Sequence, residues 1–250
     1  MHLEKENMKK IMKYLYASIK DISYLLKRGF ILWIPQNFLF PKPKKDLNKI
    51  KILLVHGYGD HESCWYFFRR YLQKNGGDYA YTLNLGLPFS SLTTYVKCVE
   101  KTIEKITDSG DRVILIGHSM GGLICSDYAT TESGRKKVLG VITLGSPLRG
   151  SMITHWAYGV SAKEMKIGSL YIEKLNKKIL TTSTVKFFQY FSGEDLIVLP
   201  SSHGHSFKNN PTHVVSYEKS DLGHLGFLCD QKIFSHISTD IQELKSLFFN

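Results

Sequence analysis

Ser119 is the residue in this chain best set to act as a nucleophile. It stands in Gly117-His118-Ser119-Met120-Gly121, a G-x-S-x-G pattern. In such a pattern a serine on a sharp turn between a strand and a helix holds its hydroxyl clear of the backbone. An unassisted serine hydroxyl is a poor nucleophile at neutral pH, so the chemistry requires a histidine to take its proton and a carboxylate to orient that histidine. Downstream, the adjacent Glu194 and Asp195 offer carboxylates, and His203, His205, His213, His224 and His236 offer imidazoles. The reaction in view is acyl transfer, in which backbone N–H groups hold the developing oxyanion.

The residues around Ser119 supply the turn. Val113 to Ile116 is an apolar run of the kind found in strands buried on both faces, and Leu123 to Ala129 starts a helix directly after the turn. The helix aims its N-terminal amides, that of Met120 among them, toward the place where charge develops. Further strands are expected near residues 50–55, 79–84, 138–144, 185–191 and 212–217, with helical patterns between them. Alternating strands and helices imply right-handed crossovers and a parallel sheet covered on both faces.

The stretch Gly117-His-Ser-Met-Gly-Gly122 resembles the nucleophile turn of the α/β-hydrolase superfamily, in its bacterial lipase and esterase branch, and the resemblance runs over about residues 51–249. It implies an α/β-hydrolase fold, with about six mostly parallel strands, helices on both faces and a small cap. Ile52-Leu-Leu-Val-His-Gly-Tyr-Gly59 is similar to the family's oxyanion loop, which makes Tyr58 the second amide donor beside Met120, with His56 shaping the loop. Ser192-Gly-Glu-Asp-Leu-Ile-Val-Leu-Pro200 resembles the acid turn and implies Asp195 as the acid, with Glu194 as the alternative. Asp221-Leu-Gly-His-Leu-Gly226 is similar to the loop that carries the base and implies His224. Val141-Ile-Thr-Leu-Gly-Ser-Pro-Leu-Arg-Gly-Ser151 is similar to the strand and turn after the nucleophile helix. The expected substrate contacts are His56, Gly57, His118, Pro147 and Trp156.

What the resemblance implies is a serine hydrolase that cleaves carboxylic esters, lipidic or acyl, through an acyl-enzyme. An acyltransferase, a thioesterase or a non-catalytic binding protein on the same scaffold are the alternatives. No cofactor and no metal is implied. His203-x-His205 lacks a cysteine partner or an H-E-x-x-H helix and reads as polar loop, and no calcium ligand cluster stands out. One departure from the family pattern is visible: residues 1–49 look helical where two early antiparallel strands would lie.

Two regions flank the core strands. Residues 150–182 form a longer connection than usual, expected as a cap, whose Met152, Ile153, Trp156, Tyr158 and Val160 serve as core or as acyl-chain contacts. Residues 1–49 form a helical, basic amphipathic segment ahead of a catalytic domain at 50–250. In it Ile11, Leu15, Ile19, Ile22 and Leu26 recur at steps of three and four, with Lys13, Lys20 and Lys27 on another face. Either this stripe packs on the domain as core, the preferred reading, or it lies in a membrane interface with Trp33 and Phe38 at headgroup level. Lys13, Lys20 and Asp21 interrupt any signal-peptide core, and the apolar run around Pro35, bounded by Lys42, Lys44 and Lys45, is too short to span a bilayer.

Charge and cysteines narrow the classes further. Of the net charge of +11, residues 1–51 carry +8 (12 Lys+Arg against 4 Asp+Glu), so the surplus belongs to the N-terminal segment and not to a nucleic-acid groove. Cys64, Cys98, Cys125 and Cys229 lie far apart with no C-x-x-C pair, which favours buried free thiols and a cytoplasmic or membrane-associated setting, with export still open. The expected partner is a small-molecule or lipid ester, with peripheral membrane contact through the N-terminal segment as an added expectation. No feature sets an oligomeric state.

Overall fold

A computed structural model describes residues 2–31, 38, 40–41, 48–76, 78–207 and 210–249. Six strands, β1 (Ile50–Val55), β2 (Ala80–Leu83), β3 (Arg112–His118), β4 (Val138–Leu144), β5 (Lys186–Ser192) and β6 (Val214–Lys219), form one parallel sheet in the order β2-β1-β3-β4-β5-β6. Every residue of β1 is buried, the signature of a strand with layers on both sides. Leu53 and Val55 pack into one core, and Ile52 and Leu54 into the other.

The described helices are α1 (His2–Ile31), α2 (Tyr66–Asn75), α3 (Leu92–Ile106), α4 (Met120–Thr130), α5 (Glu132–Lys137), α6 (Val160–Glu164), α7 (Leu170–Thr181) and α8 (Gln231–Phe249). α3, α4 and α7 cover one face of the sheet through Val99, Leu123 and Leu175, while α2 and α8 cover the other through Phe68 and Phe234. Serine caps start α3 and α7: Ser91 Oγ accepts from Thr94 N, and Ser169 Oγ from Ile172 N. α4 is buried along its whole length, as a helix between sheet and outer helices must be.

The strand order brings the functional loops together. Val55 pairs with Gly117, His118 with Leu144, and Leu144 with Tyr190. The loops after β1, β3, β4, β5 and β6 therefore leave the sheet side by side at its carboxyl edge, where open parallel sheets bind ligands.

Residues 150–182 form a short turn at Met152–Trp156 followed by α6 and α7. The segment is tied down on two sides. Ser161 N donates to Ser90 O and Leu92 N to Glu164 Oε2, while Met152 N donates to Leu199 O and Ser151 Oγ to Ile197 O.

α1 departs from the preferred reading of its sequence. Its packed side chains are Tyr14, Ala17, Asp21, Tyr24 and Arg28, while Ile11, Leu15, Ile19, Ile22 and Leu26 face outward. The helix does lie on the domain, but by its polar side: the inward tyrosines, Asp21 and Arg28 find specific hydrogen-bond partners there. Trp33, Pro35, Lys42, Lys44 and Lys45 fall outside the described residues, and Phe38 is exposed. Among the described residues no helix is long and apolar enough to cross a membrane. All four cysteines are free; Cys64 and Cys125 are buried, and Cys98 and Cys229 half-buried.

Candidate active site

Ser119 sits between the end of β3 and the first residue of α4 with φ 53° and ψ −123°, a conformation that costs a non-glycine residue about 1–3 kcal/mol. The surroundings impose it. Ser119 N donates to Leu144 O at 2.9 Å, and α4 turns back so sharply that a Cβ on Gly121 would stand 2.2 Å from Val55 O. Only glycine lets the helix start that close to β1. The loop after β1 comes equally near, since a Cβ on Gly57 would lie 2.9 Å from the Ser119 Cβ. The backbone just before Tyr58 is thus brought to Ser119, while Met120 opens the buried helix α4 directly after it.

Asp195 and His224 meet although they lie on different loops. His224 Nδ1 donates to Asp195 Oδ2 at 2.8 Å, and both groups are buried. The other carboxylate oxygen, Oδ1, accepts from Ile197 N at 2.8 Å and Val198 N at 3.0 Å, so the carboxylate is locked in one orientation. Burial pushes the Asp195 carboxyl up, but His224 and these two amides outweigh it and hold it below the usual carboxylate range. For His224, burial acts downward, and Asp195, then Asp21 and Asp60, outweigh it and raise the imidazole above its ordinary 6.5. Glu194, the alternative acid, turns away: its Oε2 accepts from Ser192 Oγ and Asp221 N.

Next to Ser119, His118 binds the loop of His224 directly. Its ring lies 4.7 Å from that of His224, and its Nε2 donates to His224 O at 3.0 Å. Burial, reinforced by His224, pushes His118 down to about 3, so it stays neutral and its Nδ1 is a bare acceptor. His118, an expected substrate contact, is buried with its Nε2 on the backbone of His224. His56 likewise is not free for substrate: Nε2 accepts from Leu85 N at 2.9 Å, which leaves Nδ1–H to donate to Gly57 O at 2.9 Å. The ring thus ties the loop after β1 to the loop after β2.

Of the other expected contacts, Pro147 is buried behind the turn after β4, and Trp156 is 88% exposed on the segment after it. Tyr58 joins the two sides: its hydroxyl donates to Tyr158 O at 2.6 Å and accepts from Tyr158 N at 3.1 Å. His203 and His205 are loop residues bonded to Gly150 O and Phe207 O. Among the described residues, no three His, Cys, Asp or Glu side chains gather as a metal site.

α1, which the sequence sets apart as an N-terminal segment, also reaches the loop of His224. Asp21 Oδ1 accepts from Leu225 N at 3.0 Å, so the peptide between His224 and Leu225 is held at both ends, its carbonyl by His118 and its N–H by Asp21. The fit is close enough that a Cβ on Gly223 would lie 2.3 Å from Asp21 Oδ2. Other inward residues reach neighbouring loops: Tyr14 Oη donates to Gly193 O, Tyr24 Oη to Cys64 O, and Arg28 pairs with Asp60. The signal was present in the spacing, because Tyr14, Asp21, Tyr24 and Arg28 share one side of a 3.6-residue helix.

Asp21→Asn separates charge from hydrogen bonding, since an asparagine Oδ1 still accepts from Leu225 N. A base must be neutral to take a proton, so a reaction that uses His224 as its base is expected above the raised pKa and lost as pH falls through it. Removing one of the anions that raise this value is expected to move the acid limb of kcat/KM to lower pH. A limb that stays in place would show that Asp21 acts on the loop without acting on the titration.

The sequence model of the alpha/beta hydrolase family matches residues 52–210, more than half of the chain, and the chain belongs to that family. Solved structures of this fold include the mature lipase BlEst2 of Bacillus licheniformis, 16% identical, with a TM-score of 0.64 over 80% of this chain and 94% of that one. A lipase-esterase related protein of Clostridium acetobutylicum is 18% identical, with a TM-score of 0.58 over 79% of this chain and 95% of its own. Phospholipase PlaB of Legionella pneumophila is 17% identical, with a TM-score of 0.51 over 57% of this chain and 37% of its own. At these identities the likeness is one of fold. No curated protein matches the chain significantly. The family match ends before His224, so that residue's assignment rests on the hydrogen bonds described above.

Proposed function

We propose that the chain hydrolyses carboxylic esters of apolar acyl groups, with Ser119 as nucleophile, His224 as base and Asp195 as the residue that orients it. The observation that carries this reading is the buried His224–Asp195 pair, gripped by the residue that precedes Ser119. With Nδ1–H committed to Asp195, the lone pair of His224 lies on Nε2, the atom that takes the Ser119 proton as Oγ attacks the ester carbonyl. Amides of Tyr58 and Met120 receive the oxyanion, each contributing about 3 kcal/mol. The proton passes to the leaving alcohol, an acyl-enzyme remains, and water deprotonated by His224 releases the acid.

Support for an apolar acyl group comes from the rim. Leu87, Phe89, Met152, Trp156, Leu196 and Ile197 are large hydrophobic side chains left exposed, all of them on loops next to the oxyanion-loop, acid and cap segments. Solved relatives of this fold described as lipases and a phospholipase agree with that choice of substrate class. A series of p-nitrophenyl esters from acetate to decanoate tests it: kcat/KM is expected to rise with acyl length by several-fold per added pair of methylenes. Turnover of no ester in the series would remove the reading, and a flat or falling profile would remove its apolar part.

A further inference from the structure

The outward side of α1 is an apolar stripe on a helix that already has its partner. Ile11, Leu15, Ile19, Ile22 and Leu26 are 52–68% exposed, and Met8 and Met12 extend the stripe toward the N-terminal end. At 3.6 residues per turn these side chains lie opposite Ala17, Tyr24 and Arg28, which hold the helix to the domain. Lys9 and Lys27, both exposed, lie beyond one edge of the stripe, and exposed Lys13 lies further round the helix toward the domain. An apolar face with lysines beyond one edge, on a helix lying flat against its own domain, fits the boundary between headgroups and acyl chains of an anionic bilayer. A second protein chain fits less well, because protein interfaces are depleted in lysine.

We infer that this face of α1 docks the protein on an anionic lipid surface, with the same helix holding the His224 loop from its other side. The two faces divide the work: Leu15 and Ile19 enter the lipid while Asp21, on the opposite side of the same helix, stays on Leu225 N. A docked helix keeps its inward face on the loops of the site, so the base and the oxyanion loop are steadied at the surface where lipidic esters are found. The docking stands independently of the reaction; its effect on turnover rests on the ester-hydrolase reading.

Sedimentation of the full chain with vesicles of phosphatidylcholine alone, and with vesicles that also contain phosphatidylglycerol, tests the inference. The chain is expected to pellet with the anionic vesicles and to be released by salt. Leu15→Ser/Ile19→Ser is expected to weaken that binding about tenfold or more. Both positions are exposed on the side of α1 opposite its packed residues, so labelling of Ser119 by a fluorophosphonate in solution should be unchanged in this variant. The inference is overturned by failure to pellet with either vesicle, by equal binding to neutral vesicles, by equal binding of the double variant, or by a dimer that the double variant dissociates. Absence of labelling in both proteins, with vesicle binding intact, would strike the hydrolase reading and leave the docking in place.

Discussion

Ser119→Ala is expected to abolish fluorophosphonate labelling and to lower ester turnover by about 10⁵–10⁶-fold while the protein stays folded. The loss is large because the two other groups act only through this hydroxyl: without Oγ, His224 has no proton to take and Asp195 no cation to stabilise. For the same reason the effects do not add, and Ser119→Ala combined with His224→Ala should be no slower than either alone. Folding serves as the control. Alanine has a Cβ like serine and must adopt the same φ of 53°, so thermal unfolding should hardly move. Ser119→Gly, free of that Cβ, should unfold at a slightly higher temperature. Labelling of Ser119→Ala at the rate of the unaltered protein would place the nucleophile elsewhere.

Asp195→Asn is expected to cost about 10⁴-fold in kcat, and the structure gives the reason through one pair of amides. Ile197 N and Val198 N both donate to Oδ1, so an asparagine must keep its oxygen there and turn its NH₂ toward His224. His224 Nδ1 must then accept, which moves the ring proton to Nε2. That nitrogen can no longer take the Ser119 proton. The shape of the pocket is unchanged, so the unfolding temperature should move little, and the whole loss should appear in kcat with KM nearly constant. Retention of more than a tenth of the activity would show that Asp195 does not set the tautomer of His224.

The strands and the turn at Ser119 were legible because their rules are local. A parallel strand covered on both faces must be apolar throughout, and Val113 to Ile116 could be read that way; the observed β3 extends to His118. The six expected strands agree with those observed to within about two residues at each end. The choice between Glu194 and Asp195 was not local. It depends on Asp221 N and Ser192 Oγ occupying Glu194, contacts that no spacing announces. α1 shows the limit most clearly. Periodicity identifies the apolar side of a helix but not the side that faces the protein, and here an aspartate, an arginine and two tyrosines found enough partners to reverse the usual orientation.

The bond between Asp21 and Leu225 spans 204 residues of sequence. Strand pairs such as β3 with β4, or β5 with β6, close over far shorter stretches, and closing a long loop carries the larger entropic cost. A partly folded chain can therefore possess its sheet, its strained serine and the His224–Asp195 bond while α1 is still undocked. The grip of α1 on the amide after His224 is the contact such a chain would make last and lose first.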